Sequence, residues 1–325
     1  MRVLMTADTA GGVWTYAREL GEALASSGID VVVAATGDEP RPAPGLDVRF
    51  RRFALEWMNE PWDDVERAGE WLLELRDEVE PDLVHVNGYA HAALEWGIPV
   101  VCVAHSDVVS WFQAVRGTAP PAEWSRYRAA VEAGLAAADV VVAPTRAQLD
   151  SLQHHYRFER DRLVIPNGRA ALRPLPKEAV VAAAGRAWDE AKGLDVLARL
   201  SLPWPVEIAD GSRPADETES LLARAAIFAE PAEYEPFGLA ALEAASAGAA
   251  LVLGDIASLR EVWQEAALYV RDERELEEAL RRLIVDERLR AEYAERARRR
   301  SRRFSPERMA GAYLELYERL PLVAR

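Results

Sequence analysis

The feature that most constrains the fold is a regular alternation of short apolar runs with longer helical patterns. The first apolar run covers residues 2–6, and an amphipathic pattern over 13–27 follows it. Strands that are apolar on both faces and are joined by helices form parallel sheets covered on both sides. The sequence therefore predicts an α/β fold of doubly wound parallel sheets. Further strands are expected at 30–36, 83–86, 99–104 and 140–144, with helices over 62–79 and 122–138.

The alternation is interrupted once, by a proline-rich and charged segment at 173–178. Such segments commonly join domains, and 325 residues suffice for two α/β domains of ordinary size. We expect an N-terminal domain over 1–172 and a C-terminal domain over 173–305. Since doubly wound sheets bind ligands at the carboxyl ends of their strands, two facing sheets would line a cleft from both sides. The second domain has expected strands at 179–185, 206–209, 226–229 and 250–253, and closing helices follow at 273–303 and 306–320.

Charge and composition exclude several classes of protein. A formal net charge of −15 argues against nucleic-acid binding, which normally needs a basic face. No apolar run approaches the roughly 18 residues of a membrane span, and the first strand turns polar at Asp8, too early for a signal peptide. The single cysteine, Cys102, excludes an internal disulfide and fits a reducing compartment. We therefore expect a cytoplasmic protein without a membrane span.

One basic cluster lies at 296–303, after an acidic helical stretch. The helix dipole favours cations at the end of a helix, so a solvated helix end is the preferred interpretation. Contact with a lipid or a partner is the alternative, and peripheral membrane contact therefore stays open.

The first loop that could bind a ligand contains Gly11 and Gly12, between the first strand and the first helix. Glycines there allow backbone N–H groups to approach an anion at the helix N-terminus. The pattern is not the G-x-G-x-x-G fingerprint, which disfavours a dehydrogenase. A plain tight turn explains the pair equally well.

Two cations flank the loop that opens the second domain. Arg186 and Lys192 lie six residues apart between a strand and a helix. Arginine offers a planar fork for phosphate oxygens and lysine a point charge. In a protein this acidic, a diphosphate needs such local cations to be held. The alternative is that both side chains are exposed and pair with Asp189 and Glu190.

Two glutamates bracket a helix that is expected to start near Leu239. Glu235 precedes a turn made by Pro236 and Gly238, and Glu243 lies about one turn inside the helix. The N–H groups and dipole of a helix start suit phosphate or sugar oxygens, and carboxylates accept hydrogen bonds from sugar hydroxyl groups. Helix capping is the alternative for Glu235, but it does not explain Glu243.

A histidine, His105, follows the strand expected at 99–104 and begins the sequence His105-Ser106-Asp107. It lies at the edge of the sheet where ligands bind. A hydrogen-bonded structural histidine is an equally good interpretation of this position.

In combination these motifs resemble glycosyltransferase family 4. Glu235 and Glu243 form the E-x7-E pattern of retaining glycosyltransferases of the GT-B fold, and the whole segment 234–262 is similar to that family. So are the two glycines near the N-terminus, residues 138–140, residues 164–168 and the 185–193 loop. The resemblance spans essentially the full chain in the right order. It implies the GT-B architecture, in which two Rossmann-like domains face each other across a cleft.

The resemblance implies that the cationic loop binds the donor diphosphate. Arg186 and Lys192 would contact it directly, and Gly11 and Gly12 would lie beside it. Further contacts to sugar and phosphate would come from the backbone N–H groups of Phe237, Gly238 and Leu239.

The resemblance also assigns roles around the transferred sugar. Glu235 would contact the donor sugar, Glu243 would hold the ribose hydroxyl groups, and His105 would face the transferred sugar near the acceptor. His105 and Glu235 are therefore the catalytic candidates. The last helix, 306–320, is expected to cross back onto the N-terminal domain.

The expected reaction moves a sugar from a nucleoside-diphosphate sugar, a co-substrate, to a sugar, lipid or metabolite acceptor. Fixed cations and N–H groups would stabilise the charge that develops on the leaving diphosphate. No two aspartates lie two positions apart, so the Asp-x-Asp pair common in metal-dependent transferases is missing. We expect turnover without a metal or another cofactor. Retaining enzymes of the family are described with same-face attack and no established protein nucleophile, so none is assigned.

One segment departs from the family pattern. Only residues 212–219 separate Gly211 from Ser220, where family members usually have an additional strand and loop. That region often cradles the nucleobase, so the identity of the base and the donor affinity stay open. Two other functions are compatible with the motifs: a sugar-nucleotide epimerase or phosphorylase on the same architecture, or a non-catalytic nucleotide-sugar-binding protein.

Overall fold

The computed structural model of the protein describes residues 1–321, which form two compact units. The first unit contains Met1–Gln113, Gly117–Gly168 and the chain from Pro306 onward. The second contains Arg169–Ser305 together with Ala114–Arg116. The chain thus passes from one unit to the other at Arg169, close to the expected boundary at residue 173.

The first unit is built on a seven-stranded sheet whose strands are all parallel. Its order is β3-β2-β1-β4-β5-β6-β7. The strands are β1 (Arg2–Asp8), β2 (Asp30–Thr36), β3 (Asp47–Phe50), β4 (Leu83–Val86), β5 (Val100–Val103), β6 (Val140–Ala143) and β7 (Asp161–Val164). The helices that follow them are α1 (Gly12–Ser26), α2 (Trp62–Val79), α3 (Val108–Arg116), α4 (Ser125–Ala137) and α5 (Arg146–His155).

Strand residues alternate between two hydrophobic cores, one on each face of this sheet. Leu4 and Val32 belong to the core covered by α2, α4 and α5. Val3 and Val31 belong to the core on the other face, which α1 covers. Successive strand side chains point to opposite faces, and burial of both faces explains why these strands are apolar throughout.

The second unit has a five-stranded parallel sheet of order β12-β11-β10-β8-β9. Counted from its own first strand this is the flavodoxin-like order, with the topological switch point between β8 and β10. The strands are β8 (Glu178–Ala184), β9 (Val206–Ala209), β10 (Ala225–Glu230), β11 (Ala250–Gly254) and β12 (Ala267–Val270). The helices are α6 (Leu194–Arg199), α7 (Ala215–Arg224), α8 (Leu239–Ser246), α9 (Ala257–Trp263), α10 (Glu273–Val285) and α11 (Glu287–Ser301).

The last helix of the described chain, α12 (Pro306–Tyr317), packs in the first unit. Met309, Ala310 and Tyr313 are buried in the same core as residues of β1 and α1. The core of the first unit therefore includes chain segments that are separated by the whole second unit.

The doubly wound parallel sheets expected from the sequence are confirmed, and most strands lie within a residue or two of their expected positions. The expected single helix over 273–303 is wrong. It consists of α10 and α11, because the Asp286 carboxylate accepts a hydrogen bond from the Leu289 N–H (2.9 Å) and starts a new helix. The short strands β3 and β12 and the helices α3 and α5 were not expected.

Candidate active site

The switch point of the second sheet brings two loops together at the carboxyl ends of β8 and β10. The loop after β8 carries the expected cations, and the loop after β10 leads to the first glutamate of the E-x7-E pattern. Strand crossovers run in opposite directions from a switch point, so the adjacent loops part and leave a crevice where ligands bind.

Lys192 is the centre of a buried charge cluster in this crevice. Its ammonium lies 3.0 Å from Glu230 Oε1 and also donates to Glu235 Oε2. The three side chains are 14%, 2% and 14% exposed, respectively. An ammonium has three N–H donors, and the two carboxylates take two of them. In this cluster one ammonium therefore pairs with two carboxylates.

The cluster shifts the pKa of each member. Burial alone would lower the pKa of Lys192, but the two carboxylates outweigh it and raise that pKa. Burial raises the pKa of Glu230 to about 7, because Lys192 compensates only in part and Glu235 adds a like charge. Burial also opposes the charge of Glu235, yet Lys192 and two backbone N–H groups keep the pKa of Glu235 below its ordinary value.

Glu235 is held by the turn that leads into α8. Its Oε1 accepts hydrogen bonds from the N–H groups of Phe237 (3.0 Å) and Gly238 (2.8 Å). Gly238 has a φ of 89°, and a Cβ there would lie 3.5 Å from Glu230 Oε2 and 3.2 Å from Leu259 Cδ2. The position therefore requires glycine.

The alternative interpretation of Glu235 as a helix-capping residue is therefore partly correct. Two of the three N–H groups expected to meet a ligand already donate to its carboxylate. The Phe237 side chain is buried and packs on Phe304, with ring centroids 5.4 Å apart, and Leu239 begins α8.

Arg186 lies on the same loop as Lys192 but in a more exposed position. It donates to Asp189 Oδ2 (2.9 Å), and its guanidinium lies 4.6 Å from the ring centre of Trp188, which is 64% exposed. The pairing with Asp189 follows the structural alternative considered for this loop. For Lys192 that alternative is wrong, since the side chain is buried and pairs with Glu230 and Glu235.

Glu243 lies on α8 and pairs with a different cation. Its Oε1 accepts from Arg169 Nε (2.6 Å), and Arg169 also donates to Glu219 of α7 (2.9 Å). The Arg169 side chain is 7% exposed. The second glutamate of the pattern is thus held by an ion pair independent of Lys192.

In the first unit, Gly11 and Gly12 form the turn between β1 and α1. Gly11 has a φ of 81° and precedes the first helical residue, Gly12. His105 follows β5, and its ring packs edge-on against Tyr16 of α1, with centroids 4.5 Å apart. The carboxyl edge of the first sheet therefore brings both sequence motifs near α1.

The hydrogen bonds of His105 define its tautomer. Asn87 Nδ2 donates to the Thr6 carbonyl (2.7 Å), so Asn87 Oδ1 accepts from His105 Nε2–H (2.8 Å). Burial lowers the pKa of His105 to about 3. The imidazole is neutral at physiological pH, with Nδ1 as its acceptor nitrogen.

A second buried network lies behind His105 and includes the last helix. Tyr16 Oη donates to Tyr313 Oη (2.7 Å), and His85 bonds Tyr16 Oη through Nε2 (3.2 Å) and Tyr317 Oη through Nδ1 (2.6 Å). Since Tyr16 donates onward, it accepts from His85 Nε2–H, and Tyr317 donates to Nδ1. Each ring nitrogen of His85 therefore has a partner.

Sequence reasoning named the cations, both glutamates and the two glycines as candidates, but it did not name the partners of Lys192 and Glu243. Glu230 and Arg169 were not expected. A charged residue that ends an otherwise apolar strand was the available signal for Glu230, while no pattern marked Arg169. The shortened segment 212–219 connects β9, at the edge of the sheet, to α7.

Residues 1–321 contain neither a cluster of metal-ligating side chains nor a helix suited to crossing a membrane. No group of three or more His, Cys, Asp or Glu side chains could hold a metal ion. No helix in that range has both the length and the apolar character that a bilayer crossing needs.

Two doubly wound parallel-sheet units, with a cationic loop and an E-x7-E helix at the switch point of the second, define the class: a glycosyltransferase of the GT-B fold. The chain belongs to glycosyltransferase family 4. Residues 10–169 match the family described as Glycosyltransferase Family 4, and residues 175–300 match Glycosyl transferases group 1.

Known proteins along the full length agree with this assignment. A D-inositol 3-phosphate glycosyltransferase of Xylanimonas cellulosilytica is 28% identical, over 95% of this chain and 91% of the relative. Among solved structures, sucrose-phosphate synthase of Thermosynechococcus elongatus superposes with a TM-score of 0.77 at 20% identity, covering 98% of both chains. Anabaena HepE in complex with UDP-glucose gives a TM-score of 0.72 at 17% identity, covering 98% of this chain and all of the other.

Proposed function

We propose that the protein is a retaining, metal-independent glycosyltransferase that moves a sugar from a nucleoside-diphosphate sugar to an acceptor. The observation that carries the proposal is the buried ammonium of Lys192 at the switch point of the second sheet. It lies on one loop with Arg186 and next to the turn that starts α8. A buried cation with a donor to spare suits an anionic ligand.

The leaving diphosphate is the group this loop is built to stabilise. Cleavage of the bond between sugar and phosphate places negative charge on the diphosphate, and Lys192 and Arg186 supply fixed positive charge for it. In metal-dependent transferases a divalent ion supplies that charge. Two protein cations in its place, together with the missing Asp-x-Asp pair, support metal-independent turnover.

The remaining site residues take the roles that the family resemblance gives them. Glu235 contacts the donor sugar and Glu243 the ribose, while Gly11 and Gly12 let the backbone approach the diphosphate. Neutral His105 presents Nδ1 as an acceptor for a sugar hydroxyl group. Retention of the anomeric configuration is proposed from the E-x7-E pattern.

The comparisons suggest which substrates to test first. The HepE structure contains UDP-glucose, and the curated relative is named for D-inositol 3-phosphate. We propose a nucleotide sugar of this kind as donor, and we place D-inositol 3-phosphate first among sugar, lipid and metabolite acceptors.

Donor screening tests the proposal. UDP-glucose, ADP-glucose and GDP-mannose are compared for the rise they cause in melting temperature, since a ligand that binds only the folded state stabilises it by mass action. The stabilising donor is then incubated with acceptors and excess chelator, and the product's anomeric configuration is read by NMR. Transfer with retention is expected. A melting temperature unchanged by every donor, or activity that returns only with magnesium or manganese, contradicts the proposal.

Arg186→Ala isolates the diphosphate contact. We expect nucleoside-diphosphate affinity to fall by roughly 1.5–3 kcal/mol, the range for hydrogen bonds to charged groups. Stability should fall as well, because Arg186 pairs with the buried carboxylate of Asp189, so the melting temperature of the variant is measured alongside its affinity. Arg199→Ala is the matched control, since Arg199 forms an exposed ion pair with Asp195 in the same unit. Calorimetric titration that finds equal affinities for the two variants would rule out the assignment.

A further inference from the structure

Glu230 is the one member of the charge cluster that the family pattern does not account for. It is the last residue of β10, pairs with Leu253 of β11, and is 2% exposed. Its Oε1 accepts from Lys192, while its Oε2 is fully buried and has no hydrogen-bond partner within residues 1–321. An ionised carboxylate oxygen in that situation is costly.

The charged groups that face Glu230 come from two loops. Lys192 approaches from the loop after β8 and Glu235 from the loop after β10, close enough for a hydrogen bond between the two carboxyl groups. In the turn before α8, Gly238 lies beside Glu230, since a Cβ there would be 3.5 Å from Glu230 Oε2, and on β11 Glu230 pairs with Leu253; neither residue titrates. The protonation of Glu230 therefore depends on the balance between one ammonium and one carboxylate.

A diphosphate changes that balance. It brings at least two negative charges to Lys192, which already faces Glu230 and Glu235. Both carboxylates cannot then stay ionised at low cost. Glu235 is anchored as an anion by two backbone N–H groups. Glu230 has no such anchor and is the group that can be neutralised.

We propose that Glu230 is a positioning residue for Lys192 that couples binding of the donor diphosphate to the uptake of one proton. In the unliganded site its carboxylate and that of Glu235 fix the ammonium from two sides and leave one N–H donor for the ligand. When the diphosphate binds, a proton from solvent adds to the Glu230 carboxylate, and the new hydroxyl group can donate to Glu235. No other bond forms or breaks. This inference rests on the proposed donor site.

The raised pKa of Glu230 agrees with this role. Burial and the neighbouring Glu235 raise its pKa to about 7, so the unliganded group is partly ionised near neutral pH. Binding should therefore weaken as the pH rises above 7, approaching a tenfold loss of affinity per pH unit. Below that pH the proton is already present, and affinity should level off.

Calorimetry with an intact nucleotide sugar tests the coupling. The probe is whichever of UDP-glucose, ADP-glucose and GDP-mannose binds, because the diphosphate of a nucleotide sugar has no proton that titrates near pH 7. Titrations at pH 6, 7 and 8, in two buffers of different ionisation enthalpy, give the affinity and the number of protons taken up. The wild type should take up close to one proton at pH 8.

The Glu230→Gln variant removes the titrating group and keeps its size. It should bind with affinity that no longer depends on pH between 6 and 8, without proton uptake. Glu233→Gln is the matched control, because Glu233 is exposed on the same loop, and it should behave as the wild type. If the role of Glu230 were purely structural, Glu230→Gln would change the melting temperature, but the pH dependence of donor affinity would remain.

The outcomes separate the two proposals. No binding of any nucleotide sugar to the wild type overturns the proposed function, and this inference with it. Binding without proton uptake, or with a pH dependence that persists in Glu230→Gln, overturns the inference alone. If Glu230→Gln does not fold, the number of protons that the wild type takes up on binding still decides whether the inference holds.

Discussion

Each unit of the protein has a buried polar cluster, and the two clusters are built in opposite ways. In the second unit, one ammonium and two carboxylates share a site in which a carboxylate oxygen has no partner. In the first unit, His85 and the tyrosines Tyr16, Tyr313 and Tyr317 form a neutral chain of hydrogen bonds. The charged cluster has a donor left for a ligand, whereas the neutral cluster uses its groups to join helices to the sheet.

From this difference we assign the charged cluster to ligand binding, as proposed above, and the neutral cluster to the fold. A buried charge that loses its partner is far more costly than a neutral group that loses one. Loss of the ammonium from the charged cluster should therefore affect donor binding and stability together, and variants of the neutral cluster should affect stability alone.

The largest effect is expected for Lys192→Ala. Removal of the ammonium leaves Glu230 and Glu235 buried without a cation, which typically costs about 3–5 kcal/mol of stability. Nucleoside-diphosphate affinity should be lost at the same time. Chemical unfolding and calorimetric titration measure the two effects. Lys177→Ala is the control, because Lys177 donates to the carbonyls of Ala223 and Ala225 in the same unit. An equal loss of binding there would contradict the site assignment.

Tyr317→Phe tests the neutral cluster. His85 Nδ1 would lose its donor and remain buried without a partner, at a cost of about 1–3 kcal/mol. Diphosphate affinity should be unchanged, which chemical unfolding and titration can show. Tyr293→Phe, on α11 of the second unit, controls for the loss of a tyrosine hydroxyl group. A variant as stable as wild type would mean that the network does not hold α12.

The glutamates of the E-x7-E pattern should separate by their effects on binding and turnover. Under the proposed assignment Glu243 contacts the ribose, so Glu243→Gln should reduce nucleoside-diphosphate affinity by about 1 kcal/mol, the difference between a charged and a neutral hydrogen bond. The same assignment places Glu235 at the donor sugar, so Glu235→Gln should spare that affinity and should lower kcat. Equal losses of diphosphate affinity in the two variants would show that the donor is placed wrongly.

The smallest effect is expected in the pH dependence of stability, where the clusters have opposite signs. The raised pKa of Glu230 gives stability that is present below about pH 4.5 and is lost as the pH rises through 7. Burial lowers the pKa of His85 to about 3, so its contribution is present above about pH 6.5 and is lost as the pH falls.

Two variants measure these signs. The melting temperature of Glu230→Gln relative to wild type should rise from pH 5 to pH 8, by roughly 2–4 °C per kcal/mol. The deficit of His85→Leu relative to wild type should narrow as the pH falls below 6.5. Differences that stay constant with pH would show that these groups titrate as they do in the unfolded chain.

The sequence predicts the features that depend on neighbouring residues better than those that depend on contacts between distant residues. Most strands and the start of α8 are local features: an apolar run or a glycine turn defines them, and the structure has them where they were expected, apart from the short strands β3 and β12. The helix break at Asp286 also has a local cause, since Asp286 is a capping residue. The helical periodicity continues on both sides of it, however, and therefore predicted a single helix. The partners of Lys192 and Glu243 depend on contacts over 38 and 74 residues of chain, which no spacing reveals.

The placement of α12 sets a condition on how the chain reaches its native state. Tyr16 and Tyr313, which share a hydrogen bond, are 297 residues apart in the sequence. At a synthesis rate of about 5–20 residues per second, the ribosome needs roughly 15–60 s to make the segment between them. During that interval Arg169–Ser305, which is nearly all of the second unit, is made, whereas the core beneath α1 in the first unit still lacks α12. The first unit, although it is made first, thus receives its last core helix only after the second unit has been made.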